Sequence, residues 1–366
     1  MPISNAMRAA LRALSYPEPD IRKTYPLERR VKLLASKMGT LQPNGCYSID
    51  SAFCHSHHTI PLRIYFPANS KEEVVHQNPV LLFFHGGGWV MGCIESYDSV
   101  CRRLARLTGL IVVSTQYRLA PEHPYPAAVE DCFSVAQALS EGRILPGVGP
   151  EQVTLIGDSA GGNLAAAVSL MAKDRLELFP AAQILIYPAL YNQYGPDSPY
   201  PSVQENGTDY LLTAKRLSEF VQLYQGENKT AASQCYFAPL LAKDLSRQPP
   251  TLIITAEYCP LRDEGEDYGK KLQKAGVSAT VCRIPDALHN FFMLTENFAA
   301  VRRTHEQIQR FLGQIYPQQQ YPALPWEIPQ GAETPASPQN RTVLHRTSFS
   351  QIEEQLRRHW KHNSPK

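Results

Sequence analysis

The chain is expected to adopt an α/β fold, a mostly parallel central sheet flanked by helices, and three observations carry that expectation. Short apolar runs recur ahead of helix-forming stretches, two of those runs end in glycine-rich loops, and an aromatic-rich insertion at about 190–228 interrupts the alternation.

Residues 1–45 mix a helical pattern over Leu27 to Met38 with Pro17, Pro19 and Pro26. Strands follow. Ile60 to Phe66 alternates with a period of two, and the runs Val80 to Phe84, Leu110 to Ser114, Val153 to Ile156, Gln183 to Tyr187, Thr251 to Ala256 and Ala279 to Ile284 precede the helices. Continuous apolar strands of this kind belong to parallel sheets covered on both faces. Cys54-His55-Ser56-His57-His58 invites a metal reading. On a straight strand His55 and His57 face away from Cys54, Ser56 and His58, so neither face offers four ligands. An exposed hairpin near the sheet edge and no metal are expected there.

Residues 190–228 carry Tyr191, Tyr194, Tyr200, Tyr210, Phe220 and Tyr224, which either line a pocket or pack an aromatic helix on the core. Past Tyr316 the run of prolines and glutamines predicts an extended linker over 317–340. In the tail, 341–366, the spacing of Ile352, Leu356 and Trp360 predicts a short amphipathic helix that docks on the body or on a partner.

At 366 residues the chain suits one domain with a cap and a tail, and its net charge of +2 gives no reason to expect nucleic acid or an anionic membrane. No apolar stretch reaches the length of a membrane span, and Met1 to Leu14 lacks the apolar core of a signal peptide, so a cytoplasmic location without membrane insertion is expected. The eight cysteines show no C-x-x-C pair and read as reduced thiols.

Gly157-Asp158-Ser159-Ala160-Gly161 follows Val153 to Ile156 and opens a small-residue stretch, which puts a serine on a strand-to-helix turn. Upstream, Val80 to Phe84 ends in His85-Gly86-Gly87-Gly88, whose amides a side chain does not cover. Acyl transfer needs N–H donors aimed at the developing oxyanion, and Gly87, Gly88 and Ala160 are the candidates. In chain order Ser, acid, His, the base falls on His289, in the loop after Ala279 to Ile284.

These motifs resemble the bacterial hormone-sensitive-lipase-like esterases, the GDSAG branch of the α/β-hydrolase family. The resemblance spans about 5–315 and includes Tyr117 to Ala128, Glu205-Asn206-Gly207 and Pro260-Leu261-Arg262-Asp263-Glu264-Gly265, with His85, Gly86 and Asp158 supporting the two catalytic motifs. It implies a helical cap from 1–45 and 190–228 over a hydrolase core of 46–189 and 229–316. It further implies an intracellular carboxylesterase that hydrolyses short acyl esters through an acyl-enzyme, with no metal or cofactor and a small ester as its partner. A homodimer is left open.

One position departs from the pattern. The family's catalytic aspartate stands directly before the Pro-Leu-Arg-Asp-Glu-Gly block, where this chain has Cys259. A thiol is mostly neutral at pH 7 and accepts hydrogen bonds weakly, so it replaces a carboxylate poorly. Asp263, Glu257 and Asp286 are alternative acids, although Asp263 also reads as the N-cap of a helix from Glu264. The expectation is an esterase with an incomplete triad. The alternative is a non-catalytic ligand-binding protein on the same fold. Asn290, where the family has glycine, is a smaller departure.

Overall fold

The structure, a computed structural model, describes residues 5–15, 18–38, 46–55, 58–67 and 78–326. Its strands are β1 (Cys46–His55), β2 (His58–Pro67), β3 (Val80–Phe84), β4 (Ile111–Thr115), β5 (Val153–Asp158), β6 (Ala182–Ile186), β7 (Thr251–Tyr258) and β8 (Ala279–Leu288). The helices are α1 (Asn5–Ser15), α2 (Ile21–Met38), α3 (Ile94–Thr108), α4 (Ala127–Ser140), α5 (Ala160–Arg175), α6 (Pro201–Asn206), α7 (Ala214–Gln225), α8 (Arg262–Lys274) and α9 (Ala299–Ile315).

The strands form one sheet in the order β1-β2-β4-β3-β5-β6-β7-β8. From β4 through β8 all pairs are parallel, while β1 pairs with β2, and β2 with β4, in antiparallel fashion. Every residue of β3, β4 and β6 is buried, because helices cover both faces of the sheet centre. That double cover is why these strands read as continuous apolar runs. α5 is buried along most of its length, and Ala165, Ala166 and Ala167 let it approach the sheet closely.

β1 is an edge strand with an exposed centre, which is why no hydrophobic alternation announces it before Ile60. On either side of residues 56–57, which lie outside the described ones, β1 and β2 pair antiparallel as the expected hairpin requires, so Cys54 to His58 is not one straight strand. His55 and His58 are register partners, and both reach α4, His58 to Asp131 at 2.8 Å and His55 to Ser134 at 3.5 Å. His57 lies outside the described residues, among which no cluster of metal-binding side chains occurs.

α2 starts six residues before the expected Leu27 and takes Pro26 into its body. Proline there forfeits one backbone hydrogen bond. Anchorage to α7 offsets that loss: the Ile21 N–H donates to Glu219, and Arg216 binds both Glu18 and Glu28. These contacts join the N-terminal helices to the insertion, and both lie over the sheet's C-terminal end, where Gly88 meets Phe220.

The linker expectation needs correction at its start. Residues 317–326 pack on the body, with Leu324 buried, Pro322 seated over Gly109 and the Trp326 indole donating to Glu306. The rest of the linker and the tail stripe of Ile352, Leu356 and Trp360 lie outside the described residues.

Candidate active site

β5 ends in Asp158 and α5 begins at Ala160, so Ser159 alone makes the corner, with φ 54° and ψ −118°. Such a backbone is strained for a residue with a side chain. The glycines on either side permit it: a Cβ at Gly157 would strike the Gly161 carbonyl, and one at Gly161 would strike that of Phe84. The Ser159 N–H donates to the Ile186 carbonyl at 2.8 Å, which pins the corner to the end of β6.

His289 follows β8. Its Nε2 lies 3.0 Å from Ser159 Oγ and its Nδ1 lies 3.1 Å from Cys259 Sγ. Asn290 takes the left-handed conformation, φ 67°, which explains why glycine would serve there and why asparagine is tolerated. Cys259 is fully buried at the end of β7, and its sulfur also accepts the Leu261 N–H at 3.4 Å. Burial alone brings the His289 pKa down to about 3, and it pushes the Cys259 thiol well above its ordinary value. Both groups are therefore neutral at pH 7.

None of the three alternative acids meets His289, whose two ring nitrogens are occupied by Ser159 and Cys259. The Asp263 carboxylate accepts the Ser202 N–H at 2.7 Å. It caps α6, and its own helix starts one residue earlier, at Arg262, so the N-cap reading is corrected too. Glu257 accepts the Asp286 N–H at 2.7 Å, and Asp286 is exposed. The Asp263 and Glu257 carboxylates are thus engaged by backbone N–H groups away from His289.

The glycine loop folds over the serine. Gly87 and Gly88 have φ 121° and 62°, and a Cβ on either would collide, with Met91 or with the Phe220 ring. Both glycines border one cavity with Ser159, Ala160 and His289. Ala160 is the first residue of α5, where amides have no partner within the helix. Asp158 ties the loop to the corner: it accepts the Gly86 N–H at 2.8 Å and the Tyr97 hydroxyl at 3.0 Å, and burial raises its pKa to about 7. His85 stacks on Tyr117 with ring centres 4.3 Å apart.

The cavity holds about 290 Å³, walled by Trp89, Met91, Leu211, Leu217 and Phe220, with Glu18, Glu28, Lys32 and Arg216 among its polar groups. Of the insertion's six aromatic residues, Phe220 borders it; the others pack. Tyr224 stacks on Trp89 at 4.5 Å, Tyr191 meets Tyr200 edge-on, Tyr210 stacks on Tyr258, and the Tyr194 hydroxyl donates to Glu264.

Tyr97 and Glu264 support the site without having been marked in the sequence. Glu264 is buried beside the Cys259 loop, accepts the Leu190 N–H at 2.6 Å and has its pKa raised to about 8 by burial. Its place inside the Pro260 to Gly265 block was a usable signal. Nothing local marks Tyr97.

A serine at a strained strand-to-helix corner, a histidine on its oxygen and a glycine loop over both define a serine ester hydrolase. Comparison with known proteins agrees. The model of a family described as having the alpha/beta hydrolase fold matches residues 81–293, and that of the carboxylesterase family matches 38–121. The chain is 38% identical to the esterase LipI of Mycobacterium tuberculosis over 63% of this chain and 71% of that one. It is 34% identical to an ethyl acetate hydrolase of Pseudomonas putida, over 68% and 76%. An esterase from Pyrobaculum calidifontis superimposes with a TM-score of 0.73 at 36% identity, covering 86% of this chain and 99% of that one. The chain belongs to the α/β-hydrolase family and to the carboxylic ester hydrolases within it; the alternative of a non-catalytic binding protein is not favoured.

Proposed function

We propose that this carboxylesterase hydrolyses short-chain acyl esters through an acyl-enzyme on Ser159, with a triad weakened at Cys259. Ser159 Oγ attacks the acyl carbon while its proton passes to His289 Nε2. The amides of Gly87, Gly88 and Ala160 receive the charge that develops on the carbonyl oxygen. The alcohol leaves with the proton from His289, and water repeats the sequence on the acyl-enzyme.

The observation that carries this reading is the chain Ser159, His289, Cys259, at 3.0 and 3.1 Å. It also supports the weakness. Because the sulfur already accepts the Leu261 N–H, its own S–H is free to donate to His289 Nδ1. The imidazole proton then sits on Nε2, where it cannot accept from the serine. The productive tautomer needs Nδ1–H directed at sulfur, a poor acceptor. A carboxylate enforces that tautomer; a neutral thiol does not.

A cavity of about 290 Å³ is at the small end for ligand sites and favours short acyl chains. The test is hydrolysis of p-nitrophenyl acetate and butyrate against the palmitate, with fluorophosphonate labelling of the purified protein. Labelling lost in Ser159→Ala and a preference for the short esters are expected. A preference for palmitate by kcat/KM, or activity surviving in Ser159→Ala, would overturn the reading.

A further inference from the structure

We propose that the outward face of α2 docks this esterase on an anionic lipid surface, with Leu27 and Leu34 entering the headgroup region and Lys23 and Arg30 meeting the lipid phosphates. The two leucines are 66% and 63% exposed, more than any other large apolar residue described. Positions 23, 27, 30 and 34 step by four, three and four, so they form a single stripe along the helix. Lys23 and Arg30 are exposed, and neither is in an ion pair among the described residues. The one acidic residue of α2, Glu28, turns the other way, onto the Thr24 hydroxyl at 2.7 Å and onto Arg216.

Exposed leucines framed by cations, with the nearest acid, Asp20, just ahead of the helix and held by Arg22 at 2.8 Å, are the composition of a helix that lies on a membrane surface. Other occupants fit less well. The tail 341–366 has six Lys or Arg against two Glu, so it repels this face. A second copy packed about a twofold axis would set Lys23 and Arg30 against their own kind. A folded acidic protein needs pockets for its anchoring side chains, and Leu27 and Leu34 border none of the cavities described. A fluid lipid surface needs no such pocket.

The same helix walls the catalytic cavity through Glu28 and Lys32, and Leu211, 39% exposed, borders that cavity as well. Docking would bring the cavity close to the bilayer, so esters dissolved in lipid would enter without crossing bulk water. Docking through α2 involves no catalytic step and is independent of the reaction at Ser159.

The test is co-sedimentation of the full-length chain with vesicles of phosphatidylcholine alone or mixed with phosphatidylglycerol, at low and high salt. Binding to the anionic vesicles alone, weakened by salt, is expected. Leu27→Ser with Leu34→Ser, and separately Lys23→Gln with Arg30→Gln, should each reduce that partitioning by about tenfold or more. Butyrate hydrolysis without vesicles checks that both variants are folded, since none of the four residues borders the cavity. Equal binding to both vesicle types, no binding, or wild-type binding by both double variants would overturn the proposal. So would a leucine variant that turns a dimer into a monomer, because the face would then belong to a second copy.

Discussion

Replacing Cys259 by aspartate tests the weakest link of the site and has a magnitude that can be worked out. Neutralising the corresponding carboxylate of a serine protease costs about 10⁴ in kcat, which is roughly 5 kcal/mol at ~1.36 kcal/mol per tenfold. Only part of that is recoverable here. The new carboxylate enters a fully buried position, where desolvation works against its ionisation. In its favour, the Leu261 N–H already points at the side chain of residue 259, and His289 Nδ1 lies 3.1 Å from the sulfur it would replace. A gain of about tenfold or more in kcat/KM for p-nitrophenyl butyrate is expected at pH 7. The pH profile gives a second readout. Burial holds the His289 pKa at about 3, so wild-type activity should persist well below pH 6. An adjacent carboxylate stabilises the imidazolium and raises that pKa, so the acid limb of kcat/KM should move to higher pH in Cys259→Asp. Ordinary esterase rates in the wild type, with no gain and no shift of the acid limb in the variant, would refute the incomplete-triad argument.

The glycine loop offers a second test: Gly88→Ala forces a side chain onto φ 62° and into the Phe220 ring, so kcat should fall about 100-fold. Adding Phe220→Ala should restore only part of the loss, because the backbone strain remains; full rescue would show that sterics alone mattered. For Asp158, burial raises the folded pKa to about 7, so the folded chain holds a proton that the unfolded chain releases above the ordinary carboxylate value of 3.8. Wild-type stability should therefore fall relative to Asp158→Asn as pH rises from about 4 to 7 and level off above, by several degrees of thermal midpoint. A pH-independent difference between the two would show that the carboxyl is ionised in the folded chain. Deleting 327–366 should leave the midpoint within a few degrees and the activity within about twofold, whereas a cut at 320 should cost more, since it removes Leu324 and Trp326.

What the sequence made legible follows from what is local. Val80 to Phe84 and Val153 to Ile156 are apolar without interruption because they sit mid-sheet, and the glycines around Ser159 and after His85 are demanded by backbone collisions at those positions. Such features show in a few adjacent residues. β1 did not show, because an exposed edge strand has no buried face to leave a pattern. The early start of α2 was hidden for a different reason: Pro26 reads as a boundary, and the contacts that hold Ile21 in the helix come from Glu219, almost two hundred positions away. Asp263 and Glu257 could not be ruled out as acids from position alone. Their partners, Ser202 and Asp286, are set by how β7, β8 and α6 come together.

Whether a thiol at the acid position leaves the site dead or slow is a question of which terms survive. Each oxyanion donor is worth roughly 3–4 kcal/mol, and the loop proposed to supply two of them is held independently of residue 259, through Asp158, Gly86 and Tyr97. The contact between His289 Nε2 and Ser159 Oγ is in place at 3.0 Å without any carboxylate behind it. What Cys259 removes is the preference for one imidazole tautomer and the stabilisation of the imidazolium, the roughly 5 kcal/mol worked out above. Enzymes lower barriers by about 8–23 kcal/mol in all, so that loss leaves catalysis standing on the oxyanion donors and on substrate positioning. The physical expectation for this chain is therefore a slow esterase rather than an inert pocket, and the same balance says which variant separates the two. Ser159→Ala removes the nucleophile and should abolish turnover, while Cys259→Ala, which deletes an already poor partner, should change kcat less than tenfold. A loss in Cys259→Ala as large as that in Ser159→Ala would mean that the sulfur takes part in the chemistry itself.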